Sequence, residues 1–467
     1  MREPVAEAVL PVETATPLPA SRVAISRAHA RAVATIGRFG VVWLPVYALL
    51  VADVEPLSLA VAASLLLACI WFLALRAAFA AGRLTMLALG APVGAAVGAA
   101  TGVVASSAAS VWVPALELGA LDVLQMALAI FVLSALWEGV VQRSAAARSR
   151  VLIVGADGGG SELVEDLALA DALPFELVGL VDDERVTETV AGAPVRGRVD
   201  DLPAIIDAHR PDIVVLAPGQ DRPEAFNYLL DAAGAGFKVV ALPEFYELAF
   251  GRVPVRNLTP AWFMGVLHLY QRPYSRVAKR AFDVVVACIG LLLTGWAFPI
   301  LALLVRRTPG PIVFRQVRLG EGGRHFTIYK FRTMRVDAEV EGRAMWASER
   351  DPRITTVGRI MRKTRLDELP QLINVLRGEM SIVGPRPERP EFMAELQEAV
   401  PFWSRRHLVK PGITGWAQVR RGYTADADGT AEKLAYDLWY LRHRSLVLDL
   451  AICVKTFTTL VTGSGAR

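Results

Sequence analysis

Four stretches of the chain are apolar almost without interruption: residues 39–52, 57–75, 84–105 and 118–141. A bilayer core takes about 20 helical residues. The last three stretches reach that length, and the first does so by drawing in Gly37 and Val54. Arginines mark alternate connections: Arg22, Arg27, Arg31 and Arg38 precede the first stretch, Arg76 and Arg83 separate the second and third, and Arg143, Arg148 and Arg150 follow the fourth. Residues 53–56 and 106–119 hold neither Lys nor Arg. Positive charge favours the cytoplasmic side, so the pattern predicts a four-helix transmembrane bundle over residues 38–143 with both ends in the cytoplasm. Residues 1–37, rich in Pro, Ala and Arg and without a signal-peptide apolar run, read as a disordered cytoplasmic tail.

The pattern changes beyond residue 150. Short apolar runs at 151–154, 176–181, 211–216 and 238–242 alternate with helical stretches at 162–172 and 224–235. Strands alternating with helices predict a parallel sheet and a Rossmann-like α/β domain over 151–262. The turn at 155–160 has Asp157 where a dinucleotide site needs glycine for backbone approach to the pyrophosphate. Asp182 does end the second strand, but the segment has a single lysine, Lys238, and no Tyr-x-x-x-Lys pair. A regulatory or assembly domain is the expectation here, rather than an NAD enzyme.

A further apolar run covers 281–305, flanked by Arg276, Lys279 and Arg280 before it and by Arg306 and Arg307 after it. If the run crossed the membrane, one basic cluster would face outside, against the charge rule. Pro299 is expected to kink the helix. A helix that enters, breaks near Phe298-Pro299 and returns meets both conditions; a plain kinked span is the alternative. The apolar stretch 446–461 is a candidate for lying on the membrane surface.

Composition agrees. The 467 residues are 54% hydrophobic, above the 45–50% or so usual for soluble domains. The net charge of +4 suits a face near anionic lipid, and with no base-reading motif nucleic acid is not an expected partner. Cys69, Cys288 and Cys453 lie in apolar surroundings without metal or disulfide spacing. His325 and His407 lack partners at metal spacing and read as structural or solvated.

The chemistry concentrates at 357–387. Asp367 and Glu368 adjoin Arg359, Arg362, Lys363 and Arg365. A carboxylate can attack phosphorus and form an acyl phosphate, another can hold a divalent ion, and arginines can stabilise the transferring phosphoryl oxygens. Neighbouring positive charge is expected to favour the ionised form of Asp367. On an α-helix the two carboxylates would point about 100° apart and so take different jobs. Alone, such a pair is most often a solvated helix terminus. Gly384-Pro385-Arg386-Pro387 then forms a stiff turn presenting Arg386.

From about Tyr274 to Val461 the sequence resembles the polyprenol-phosphate phosphoglycosyl transferases, the bacterial sugar transferases of monotopic type. The resemblance rests on Lys279-Arg-Ala-Phe-Asp283, Pro299, Tyr329-Lys-Phe-Arg-Thr-Met334, Asp351-Pro-Arg-Ile-Thr355, Leu366-Asp-Glu-Leu-Pro-Gln371, Val383-Gly-Pro-Arg-Pro387 and Lys410-Pro-Gly-Ile-Thr-Gly-Trp-Ala-Gln-Val419, in that order. It implies a mixed, mainly helical catalytic domain over 274–467 with a re-entrant membrane helix, and the upstream regions look like the large subclass that initiates exopolysaccharide or O-antigen assembly. It further implies transfer of a sugar 1-phosphate from a UDP-sugar, UDP-glucose or UDP-galactose by analogy, to undecaprenyl phosphate at the cytoplasmic face of the bacterial inner membrane. Asp367 would be the nucleophile that releases UMP, and Glu368 would bind Mg²⁺. Arg362 and Arg386 would hold phosphate. Lys330, Arg332, Arg353, Pro385 and Pro387 fall in the matched substrate-binding motifs, and the stretch from Thr414 to Gln418 would shape the nucleotide pocket. Lys279, Arg280, Asp283 and Pro299 belong to the re-entrant helix, with Arg280 and Asp283 capping it. A second copy of the chain is among the expected partners. Where many relatives carry Asn-Gly-Arg, this chain has Arg420-Arg-Gly-Tyr423. Two rival readings remain: a nucleotide-sugar-binding regulatory membrane protein with an inactive transferase domain, and an oxidoreductase acting through 151–275.

Overall fold

The computed structural model describes residues 20–53, 57–81, 95, 99–100, 102–103, 106–107, 119–143, 148–157, 159–170, 173–185, 189–217, 227–230, 236–258, 262–264, 273–336, 338, 351–420 and 427–462. The chain divides into two compact units: residues 1–38 with 140–239, and residues 39–139 with 240–467.

Helix α1 runs Ala20–Asp53, α2 Leu57–Ala81 and α3 Ala120–Arg143. The expected disordered tail is therefore corrected: residues 20–37 belong to α1. The reason is composition. No Pro or Gly interrupts residues 20–36, and Ala and Arg are strong helix formers. Val42, Val46 and Leu50 of α1, Leu67 and Trp71 of α2, and Met126 and Ile130 of α3 form one core, repeating at four-residue intervals as helical faces do. Residues Ala32–Val51 and Ala120–Val141 are each long and apolar enough to cross a membrane, whereas the apolar part of α2 is the shorter Ala60–Leu73. The expected third helix, 84–105, lies almost wholly outside the described residues.

The first unit holds the α/β domain. Strands β1 (Ser149–Val154), β2 (Phe175–Val181) and β3 (Ile213–Leu216) pair in parallel, with β2 and β3 flanking β1, and β4 (Lys238–Ala241) lies beyond β3. Helices α4 (Gly159–Leu169) and α5 (Leu202–His209) are the connectors described; the expected helix at 224–235 is described only at 227–230. In the turn after β1, a Cβ on Gly160 would sit 1.9 Å from the Gly155 carbonyl oxygen, so only glycine fits there. Asp182 accepts the amides of Ala156, Glu184 and Arg185 at 2.8, 2.9 and 3.2 Å. The residue that would meet a ribose in a dinucleotide site is thus bound to its own backbone, and Asp157 pairs with Arg185 at 3.3 Å.

The boundary of this domain differs from the expectation of 262. The units separate between Val239 and Val240, and α6 (Leu242–Phe250) packs with the C-terminal region. Its C-terminal carbonyls explain why. Glu247 O accepts from Trp439 Nε1 at 3.2 Å, Phe250 O from Arg420 at 3.3 Å, and Gly251 O from Trp416 Nε1 at 2.7 Å. These are the groups a helix end leaves without internal partners.

Helices α7 (Pro273–Thr294) and α8 (Ala297–Arg306) are bent 66° to one another. The break falls at Gly295-Trp296, slightly before the expected Phe298-Pro299, and Pro299 stands in the first turn of α8. Proline needs no N–H there, so it starts the second helix instead of interrupting one. Both arms are tied to the same C-terminal region. On α7, Asp283 accepts Ser381 Oγ and Ile382 N at 2.9 and 3.0 Å. Arg280 donates to the carbonyls of Val375 and Leu376, and Lys279 pairs with Asp449 at 2.7 Å. On α8, Leu301 and Val305 pack with Phe331 and Met361. The sequence expectation that Arg280 and Asp283 cap this helix is corrected: they bind it to the strand and helix beside it.

The C-terminal region continues with the antiparallel hairpin β5 (Val313–Leu319) and β6 (His325–Phe331), then α9 (Thr356–Lys363), a 3₁₀ turn (Leu366–Glu368) and α10 (Gln371–Arg377). After these come β7 (Ser381–Val383), α11 (Met393–Ala399), a 3₁₀ segment (Trp403–Leu408) and β8 (Gly412–Thr414), which pairs in parallel with β7. Helices α12 (Trp416–Arg420), α13 (Ala427–His443) and α14 (Leu446–Thr462) end the described chain. Its core is rich in tryptophan, with Trp403, Trp416 and Trp439 buried.

Candidate active site

The two carboxylates sit on a short, tightly held turn. Thr355 caps α9 by accepting the Gly358 amide at 3.0 Å. The chain then reverses at Arg365, a non-glycine residue in the left-handed region with φ 58°, and enters the 3₁₀ turn of Leu366–Glu368. Leu366 and Leu369 pack against the core formed by Leu301, Val305, Phe331 and Met361, which anchors the turn from both sides of the acidic pair. Because the turn is 3₁₀, adjacent side chains diverge by about 120°, more than the α-helical value. Pro370 precedes α10 with φ −62°, already near the helical value.

Asp367 and Glu368 are both buried, yet their surroundings differ. Glu368 Oε1 accepts Lys330 Nζ and Arg386 Nη2, each at 3.0 Å, and Arg365 lies 4.0 Å from Oε2. Burial opposes the charge on Glu368, but Lys330, then Arg386 and Arg365, overcome it and hold the carboxyl well below the usual carboxylate range. Asp367 has no hydrogen-bond donor among the described residues. Burial, then the charge of Glu368, raises it above the ordinary carboxylate value, against Lys330, Arg362 and Arg386. The arginines therefore lose to burial, contrary to the expectation that they would favour the ionised form. A raised carboxylate is also a more basic one.

The Arg386 turn is fixed along its whole length. Gly384 N donates to Thr414 O and Gly412 N to Pro385 O, both at 2.9 Å. Arg406 Nη2 donates to Arg386 O and Arg318 Nη1 to Pro387 O, both at 3.1 Å, and Leu319 N donates to Glu388 O at 3.0 Å. The backbones meet so closely that a Cβ on Gly412 would lie 2.1 Å from Gly384 N.

The sequence-predicted residues thus divide. Asp367, Glu368, Lys330 and Arg386 meet, and Arg362 is near enough to act on Asp367 while its Nε donates to Thr333 Oγ1 at 2.9 Å. Pro385 and Pro387 hold the arginine turn. Arg332 and Arg353 serve elsewhere. Arg332 donates to the carbonyls of Pro309, Pro311 and Thr308 at 2.6, 2.7 and 2.9 Å, closing the end of α8. Arg353 grips Asp351 through two nitrogens, at 2.8 and 2.5 Å. Thr414 Oγ1 pairs with Thr456 Oγ1 at 2.7 Å, and Gln418 Nε2 is buried without a partner among the described residues.

Sequence reasoning missed a buried ionic cluster of Arg406, Glu388, Asp437 and Lys433. Arg406 lies 3.0 Å from Glu388 and 2.7 Å from Asp437, and Lys433 also pairs with Glu388. Only Lys433 and Asp437 share an element, α13, while Glu388 and Arg406 come from two other segments, so no local signal marks it.

Among the described residues no group of three His, Cys, Asp or Glu could hold a metal ion. Mg²⁺ needs fewer protein ligands, because it is usually held by one or two carboxylates and completes its shell with phosphate and water. Glu368 Oε2, which lies 4.0 Å from Arg365 while Lys330 and Arg386 hold Oε1, fits as one such ligand.

The profile of the family described as bacterial sugar transferase matches residues 274–463. The chain is 42% identical over 242 residues to the UDP-N-acetylgalactosamine-undecaprenyl-phosphate N-acetylgalactosaminephosphotransferase of Aeromonas hydrophila, which covers 52% of this chain and 56% of that protein, little more than half the relative's length. It is 32% identical over 329 residues to the UDP-glucose:undecaprenyl-phosphate glucose-1-phosphate transferase of Klebsiella pneumoniae, 68% of this chain and 69% of the other. It is 41% identical over 193 residues to the exopolysaccharide production protein PSS of Rhizobium leguminosarum bv. phaseoli, 40% of this chain and 96% of the other.

Proposed function

The chain belongs to the bacterial sugar transferase family, and on that premise we propose that it transfers a sugar 1-phosphate from a UDP-sugar to undecaprenyl phosphate in two displacements at phosphorus. An oxygen of Asp367 attacks the sugar-bearing phosphorus, the bond from that phosphorus to the bridging oxygen breaks, and UMP departs with that oxygen and its electron pair. An oxygen of undecaprenyl phosphate then attacks the same phosphorus, and Asp367 leaves as carboxylate. The observation that carries this reading is the contrast within the pair: Glu368 is gripped by Lys330 and Arg386, while Asp367 has no donor among the described residues. A carboxylate without hydrogen bonds beside three cationic side chains is suited to attack an anionic phosphate.

Lys330, Arg386 and Arg362 supply positive charge to the diphosphate. Mg²⁺ would be held by Glu368 and would neutralise charge developing on the phosphate oxygens. The names of the relatives support undecaprenyl phosphate as acceptor and divide between glucose and N-acetylgalactosamine as the sugar. They therefore give no ground for preferring UDP-glucose or UDP-galactose over an acetamido sugar. The bent α7–α8 pair is read as re-entrant, because both arms are tied to one catalytic unit. Such an anchor holds the site at the cytoplasmic surface of the inner membrane, where a lipid phosphate lies, and suits the opening step of exopolysaccharide or O-antigen assembly.

The test omits the lipid. Enzyme incubated with labelled UDP-sugar alone is expected to release UMP in proportion to enzyme and to retain a hydroxylamine-labile phosphosugar, with neither product from Asp367→Asn. Intersecting initial-rate lines and no bound sugar would exclude the covalent route.

A further inference from the structure

Arg406 is about 1% exposed and lies 4.5 Å from the Trp403 ring centroid. Burying a guanidinium is expensive unless its charge and its hydrogens are met. Here two carboxylates, Glu388 and Asp437, meet the charge at 3.0 and 2.7 Å. The guanidinium also reaches the carbonyl of Arg386 at 3.1 Å. That carbonyl belongs to the residue whose side chain binds Glu368. Its neighbours in the turn have other holders: Pro385 and Glu388 are tied to backbone amides of β8 and β5, and Pro387 to Arg318 on β5. The Arg386 carbonyl is the one held from the ionic cluster. Glu388, two residues along, is gripped by the same guanidinium, so Arg406 fixes the turn at two points.

We infer that Arg406, braced by Asp437, is a positioning residue for Arg386: it sets the backbone from which Arg386 reaches Glu368 and the donor diphosphate. The inference rests on the transferase reading for its kinetic consequence but not for its structural one. A backbone shift of about 1 Å at such a site costs on the order of 100-fold in rate, so Arg406→Lys, which keeps the charge and loses the fork, is expected to lower kcat about 10- to 100-fold with a smaller change in KM for the UDP-sugar.

The test is a double-mutant cycle on the full-length protein in lipid nanodiscs, using wild type, Arg406→Lys, Arg386→Ala and the double variant, with UMP release as one readout. Hydrogen exchange of the peptide spanning residues 384–392 is the second. Asp437→Asn, which leaves Arg406 in place but loosens it, serves if Arg406→Lys folds poorly. If Arg406 acts through Arg386, its substitution lowers kcat in the wild-type background and has little further effect beside Arg386→Ala, and exchange in 384–392 quickens in both Arg406→Lys and Asp437→Asn. Equal losses in both backgrounds, or unchanged exchange in that peptide, would overturn the inference. If the wild type releases no UMP, the transferase reading fails and the exchange result alone decides whether Arg406 holds the turn.

Discussion

Glu247 is the best place to test whether residues upstream of the family-matched span belong to the catalytic fold. It is 3% exposed and its Oε1 accepts Trp262 Nε1 at 2.6 Å and Arg442 Nη1 at 2.7 Å, with His443 Nε2 3.3 Å from Oε2. Glu247→Ala would leave the Trp262 N–H without its acceptor and strand part of the Arg442 charge. Hydrogen bonds to a charged group contribute about 1.5–3 kcal/mol each. Arg442 is 28% exposed at its side chain, so water recovers part of its share. Glu247 is itself disfavoured by burial, which raises its pKa against the pull of Arg442 and Trp262, so its removal also relieves a desolvation cost. The balance is a loss of about 2–4 kcal/mol. For a unit of roughly 150–250 residues each kcal/mol shifts the midpoint by about 2–4 °C, so a fall on the order of 10 °C is expected. The assay is thermal unfolding of the full-length protein in detergent, followed by tryptophan fluorescence. Glu247→Gln, which retains one acceptor oxygen, should lose less than half as much. A midpoint unchanged by Glu247→Ala, or an equal fall for Gln and Ala, would refute the view that α6 is built into the catalytic unit.

Three further outcomes are expected. Glu368→Gln should lower turnover and weaken its dependence on Mg²⁺ together, measured as UMP release against metal concentration; a full metal response in the variant would remove Glu368 as the ligand. The nucleophile must be ionised and its pKa is raised, so UMP release should fall as pH drops through a value above the ordinary carboxylate range, and Arg362→Gln, which removes a charge that lowers that pKa, should move the acid limb higher still; a limb that moved down would contradict the assignment. In a background without Cys69, Cys288 and Cys453, Arg307→Cys should resist labelling from outside intact cells, and labelling there would exclude the re-entrant arrangement.

The parts of the site that were legible in sequence are those whose neighbours in space are neighbours in the chain. Leu366-Asp367-Glu368-Leu369 shows its alternation of anchor and carboxylate directly, and the prolines around Arg386 announce a stiff turn. Lys330 required the family resemblance, since 38 residues separate it from Glu368. The same motif reasoning brought in Arg332 and Arg353, which the structure ties to the end of α8 and to Asp351, because such arginines look identical in sequence to one that meets phosphate. Arg406 and Glu247 gave no signal, as their hydrogen-bond partners lie at distances of 15 to 195 residues. Residues 20–37 differ for another reason: the prolines of the tail all lie before residue 20, and residues 20–36, Ala- and Arg-rich and free of Pro and Gly, support a helix.

Glu368 holds Lys330 and Arg386 on a single oxygen before any phosphate arrives. It works as a placeholder anion. Two long cationic side chains left to themselves would repel each other and sample many rotamers, and each would lose up to about 2 kcal/mol of side-chain entropy on being fixed. Because that ordering is complete before any ligand binds, the diphosphate of the proposed donor would meet charges already aimed at it and need only share them.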